Sequence, residues 1–82
     1  MPRFYFNVSQ GPKVIPDEEG LEFDSLDAAE QEAMQALIQL GRDWLPRARE
    51  VSIQVRDEQH RQVLALSVAI RVERLEQLLK PA

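Results

Sequence analysis

Two periodicities divide the chain. Between residues 25 and 44, apolar side chains recur at steps of three and four: Leu26, Ala29, Ala33, Ala36, Leu37, Leu40 and Trp44. That spacing gathers them into one stripe along a helix. Met34, Ile38 and Leu45 form a shoulder beside the stripe, and Gln31, Glu32, Gln35, Gln39, Arg42 and Asp43 make the polar back. Ser25 suits the N-cap, where a short side-chain oxygen accepts an unpaired backbone N–H. Asp27 and Glu30 then sit at the positive end of the helix dipole. Pro46 disfavours a helical conformation at Leu45 and ends the run there, and Gly41 is its weakest helix former. The alanines predict that the helix lies close to a flat surface, namely a sheet.

The remainder has a period of two, or none. In residues 3–9, Phe4, Phe6 and Val8 alternate with Tyr5 and Asn7, which gives a strand with one apolar face. Gln10-Gly11-Pro12 is a turn. A short second strand, residues 13–15, is stopped by Pro16. Residues 17–20 form an acidic turn with Gly20 as its left-handed position, and residues 21–23 are extended again. After the helix, residues 50–56 form a third strand with Val51, Ile53 and Val55 inward. Residues 57–60 are a hairpin turn. The fourth strand, residues 61–72, places Leu64, Leu66, Val68, Ile70 and Val72 on one face and Val63, Ala65, Ser67 and Ala69 on the other. In residues 71–80, the spacing of Leu75, Leu78 and Leu79 allows a short C-terminal helix.

The expected architecture is a single α+β domain spanning residues 1–82. It is a two-layer ββαββ fold, with a four-stranded sheet and one long helix on one face. The first and fourth strands are the most apolar and therefore belong in the middle. The order 2-1-4-3 follows, with the central pair parallel.

Composition narrows the chemistry. With 82 residues there is room for one small core. There is no cysteine, hence no disulfide, thiolate nucleophile or cysteine-based metal site. No signal-peptide pattern opens the chain, and the apolar run at residues 63–70 is far too short to span a bilayer, so a cytoplasmic location is expected. A net charge of −4 opposes general attraction to phosphate backbones.

Candidate sites are few. His60 is the single histidine and falls at a hairpin tip, a place for a solvated turn residue rather than a general base. Asp17, Glu18, Glu19, Glu22 and Asp24 form an acidic cluster without an EF-hand pattern. Arg42, Arg47 and Arg49, with Arg3, gather near the helix C-terminus, where cations complement the dipole; no aromatic interleaving accompanies them. Trp44 caps the core. No catalytic, cofactor-binding or metal-binding residue is expected, and no enzyme. The second sheet face is the informative feature, because on a two-layer fold it should be wet. Here Val63, Ala65, Ser67 and Ala69 fall on it, with Tyr5 on the neighbouring strand of that order. Together with Leu75, Leu78 and Leu79, these residues make up an expected interface, covered by the C-terminal segment or by a second copy in a homodimer.

The opening Met-Pro-Arg-Phe-Tyr-Phe, the turn Asp17-Glu18-Glu19-Gly20, and Ser25-Leu26-Asp27-Ala28-Ala29 with Glu32-Ala33 resemble a family of short bacterial domains of unknown function. Members of that family open with Met-Pro-Arg and aromatics, carry an Asp-x-x-Gly turn before an alanine-rich helix, and close with a hairpin. His60 departs from the pattern, which has glycine there. The resemblance implies a fold but no activity. A weaker, fold-level likeness links the sheet-and-helix half to HicB-like antitoxins, which bind a small toxin and often nucleic acid. The expected function is a non-enzymatic interaction or regulatory module that self-associates. The alternative is an antitoxin-like regulator that binds a toxin partner or nucleic acid.

Overall fold

The computed structural model describes residues 1–75. Its elements are β1 (Arg3–Gln10), β2 (Lys13–Ile15), β3 (Leu21–Glu22), α1 (Leu26–Trp44), β4 (Glu50–Arg56) and β5 (Gln62–Ala69). The strands form one antiparallel sheet, ordered β2-β1-β4-β5, with β3 also on β1.

The core is built on β4. Val51, Ile53 and Val55 are its largest fully buried side chains. Each contributes roughly 1.5–3 kcal/mol by leaving water. Ala29, Ala33 and Leu37 of α1 are buried in the same cluster, with Phe4 of β1. Small side chains let the helix axis approach the strands. At Gly41 a Cβ would lie 3.3 Å from Val68 Cγ1, so the residue that weakens the helix also seats its last turns against β5. Ser25 caps the helix, its Oγ accepting the Ala28 N–H at 3.1 Å. Leu45, before Pro46, is extended and ends it.

The expected order 2-1-4-3 is corrected by this packing. The helix packs on residues 50–56 and on β5 alike, and β4, paired with β1 on one side and β5 on the other, is central and antiparallel to β1, with Phe6 opposite Val55 and Val8 opposite Ile53. The hairpin then leaves β5 at the edge, its Leu64, Leu66 and Val68 only half-buried. Strand apolarity is a poor guide here: the central strand is the one whose three inner side chains are wholly buried, not the one with the longest apolar run. A central 61–72 would have exposed the three best-buried side chains. β5 is also shorter than expected and ends at Ala69. Ile70 still donates its N–H to the Arg49 carbonyl at 3.0 Å, but residues 70–75 have no regular structure. The remainder of the expected C-terminal helix, with Leu78 and Leu79, lies outside the described residues.

β2 and β3 lie end to end along one edge of β1. Ile15 faces Val8 and Leu21 faces Phe4, so residues 16–20 run opposite residues 5–7, and two residues are surplus. The surplus bulges out as the acidic turn. Gly20 closes it at φ +71°, where a Cβ would stand 2.8 Å from the Phe4 carbonyl oxygen and 3.0 Å from Arg3 and Tyr5 side-chain carbons. Both the backbone angle and the space therefore require glycine. Gly20→Ala is expected to destabilise the fold by about 2–4 kcal/mol, read as a lower denaturation midpoint at unchanged slope. A loss under ~0.5 kcal/mol would contradict this reading.

Candidate functional site

The far face of the sheet, away from α1, is set by the strand registers. Tyr5 lies opposite Arg56, Asn7 opposite Gln54, and Ser9 opposite Ser52; Ser52 faces Ser67 and Gln54 faces Ala65. Because β4 stands between β1 and β5, its Ser52, Gln54 and Arg56 run down the middle of this face. The expected apolar face is thereby corrected to a polar one. Tyr5 is not beside Ala65, Ser67 and Ala69 but a strand away from them. Val63 leaves the group as well. A register irregularity at Val55/Arg56 shifts it, and it packs against the core cluster. Ala65, Ser67 and Ala69 remain exposed, and Leu75 is 54% exposed in the irregular segment.

The two sheet edges differ. On one, β2 is three residues long, carries Lys13, and is flanked by Pro12 and Pro16, while β3 is two residues. Short strands, lysine and proline are features that discourage a further strand from adding. β5 has eight residues, with no charge and no proline. Hydrogen-bonded and non-bonded pairs alternate along an antiparallel ladder. With Ile70 bonded to Arg49, the backbone groups of Leu64, Leu66 and Val68 turn toward β4, and those of Ala65, Ser67 and Ala69 turn to the outer edge, which is open among the described residues.

At the other end of the far face, Asp17 holds the acidic turn together. Its Oδ2 accepts the Phe6 N–H at 3.0 Å, and its Oδ1 accepts the N–H groups of Glu19 and Gly20, both at 3.1 Å. In return the Asn7 Oδ1 accepts the Asp17 N–H at 2.9 Å. The carboxylate thus replaces the strand acceptor that β1 lacks where β2 and β3 part. Partial burial opposes its charge, but the donors from Phe6, Gly20 and Glu19 outweigh this and hold the carboxyl below its ordinary value. Arg3 braces the turn from outside, donating to the Glu19 carbonyl at 2.8 Å and pairing with Glu22 at 3.1 Å. It therefore sits far from Arg42 and Arg47, which breaks up the expected arginine group. Arg47 instead lies over the Trp44 ring, 5.4 Å from its centroid, and donates to the Asp43 carbonyl.

The hairpin between β4 and β5 is organised by a second aspartate. Asp57 Oδ1 accepts the N–H groups of Gln59 and Arg61, and Oδ2 accepts the Arg61 guanidinium, each at 2.9 Å. The Arg61 backbone bond leads among the causes that lower its pKa. His60 adopts φ +65°, a left-handed conformation that glycine takes at less cost. The hairpin thus keeps the conformation of a glycine turn with histidine in it, and the imidazole lies 6.5 Å from the Tyr5 ring. Tyr5, Asn7, Pro16, Asp17, Glu18, Arg56 and His60 line a cleft of about 380 Å³. Asn7 and Arg56 escape notice in the sequence. Only the β1–β4 register brings them beside Tyr5, and no local spacing signals it.

Asp17→Asn is expected to cost about 1–3 kcal/mol, because an amide cannot accept from both sides. A carboxyl with a depressed folded pKa stabilises fully above its unfolded value, near 3.8, and loses that contribution as pH falls through the folded value. Wild-type stability should therefore fall more steeply than that of Asp17→Asn below pH 3.8 in urea titrations. Parallel curves would contradict the assignment.

No helix among the described residues is long and apolar enough to cross a membrane. No curated protein and no solved structure matches the chain. A family model does match, from residue 3 to residue 69. That span takes in the broken edge strand with its Asp17 turn, the capped helix and the closing hairpin. The chain therefore belongs to the DUF6894 family, a domain of unknown function.

Proposed function

We propose that the protein is a non-enzymatic interaction module that self-associates by pairing β5 with β5 of a second copy. The observation that carries this reading is the open edge: eight uncharged residues with outward backbone groups at Ala65, Ser67 and Ala69. A strand of this kind is a template for another chain.

The helix supports the choice of a second copy. Gly41 meets Val68 on β5. Met34 and Ile38, seven and three residues earlier, lie on that flank of α1 or just beyond it. They are 48% and 56% exposed. Two copies related by a twofold axis beside Ser67 would join their sheets into one. Ala65 of each would face Ala69 of the other, with no bulk to clash. Met34 and Ile38 would meet their counterparts above the joint. A self-complementary patch of this kind is what an isologous dimer requires. The interface keeps Ala65, Ser67 and Ala69 from the sequence expectation and replaces Tyr5 and Val63 with Met34 and Ile38. The antitoxin-like alternative would place a toxin strand on the same edge.

Light scattering at rising concentration tests this. Wild type should reach twice the chain mass. Ser67→Lys and Ile38→Glu should each remain monomeric with unchanged circular dichroism, while Tyr5→Asp should still dimerise. A wild type that stays monomeric at millimolar concentration would refute the pairing.

A further inference from the structure

The geometry points to a binding site for a small carboxylate in the far-face cleft lined by Tyr5, Asn7, Arg56 and His60. Three observations converge on it. First, Arg56 is half-buried, and its Nε is shielded from water without a hydrogen-bond partner among the described residues. No described residue accepts from this guanidinium, and a carboxylate is the group that its fork binds in two-point fashion through the nitrogens that are not closed off. Second, three of the other polar side chains can donate. The Asn7 carbonyl is occupied by the Asp17 N–H, which leaves its amide nitrogen with two hydrogens to give. The Tyr5 hydroxyl and the His60 imidazole complete the set. Third, His60 holds a left-handed φ of +65° at a position where glycine would be unstrained. Strain kept beside a cleft is a pointer to use, and here it sets the imidazole next to the Tyr5 ring.

Charge narrows the ligand class. The Asp17 carboxylate also lines the cleft, but it is compensated by three N–H donors. Glu18 stands exposed at the rim. Arg56 is the one permanent cation of the lining, and the Asp17 and Glu18 carboxylates oppose an anion in proportion to its charge, so a doubly charged phosphate is disfavoured more than a monocarboxylate. The two rings offer flat walls to an apolar substituent. The ligand class is therefore a small monocarboxylate, such as an organic acid or the carboxyl end of a peptide. The site is independent of the β5 pairing, because none of its groups is on β5.

The test is a ¹⁵N–¹H titration of the full chain with acetate, with benzoate and with inorganic phosphate, following the Arg56 Nε–H and the Asn7 side-chain amide. A saturable shift confined to these groups is expected with acetate, tighter with benzoate, and weaker with phosphate at pH 7. Arg56→Gln should weaken benzoate binding about tenfold or more, with the remaining spectrum unchanged. His60→Gly relieves the turn and should weaken binding by a smaller factor while raising thermal stability. A carboxyl-terminal tripeptide and its amide distinguish the two sources of the group; saturable binding by the free acid alone identifies a peptide end. Shifts that are linear, spread over all arginines, or unchanged in Arg56→Gln would overturn the site. Phosphate binding as tightly as benzoate would overturn the ligand class.

Discussion

The contact between Val51, Ile53 and Val55 of β4 and the alanine stripe of α1 governs the rest of this molecule. With Ala29 and Ala33 on its inner face the helix sits low over β4 and its neighbour β5, and β4, flanked by β1 and β5, is the strand whose inner side chains are wholly buried. From that follow the antiparallel order, the polar middle of the far face, and the position of β5. The most apolar strand by composition is left half-covered at the margin, its inner residues under the helix flank and its backbone open.

The opposite margin is managed differently. There the edge strand is broken in two, and the surplus residues are folded into a turn that Asp17 ties back to β1. A side-chain carboxylate takes over the role of a missing backbone carbonyl, and Gly20 lets the chain turn against Phe4. These two residues explain physically why an Asp-x-x-Gly turn precedes the helix. The turn also brings Pro16 and Glu18 to the rim of a cleft whose floor is β1 and β4, so a structural device and a candidate site share the same residues.

Much of this was legible in the sequence. The helix, from its Ser25 cap to its stop before Pro46, could be read from spacing, as could the alternation of Phe4, Phe6 and Val8 and the hairpin after β4. These are local signals, carried by neighbours in the chain. Strand order was not legible, because it depends on pairings between strands far apart in the chain, and no local pattern encodes them. The same gap concealed the cleft. Tyr5 and His60 were singled out separately, but Asn7 and Arg56 join them only through a register set fifty residues apart. Ala65, Ser67 and Ala69 were noticed for their small side chains. What distinguishes them in the fold is the direction of their backbone groups.

The account rests on β5 being an edge that a second chain completes. Amide hydrogen exchange of Ala65, Ser67 and Ala69 as a function of protein concentration tests this most directly, since these N–H groups have no partner strand among the described residues. The account expects their protection to rise with concentration while that of Val51 and Ile53 stays constant. Fast exchange at all three amides, unchanged from dilute to concentrated protein, would contradict it.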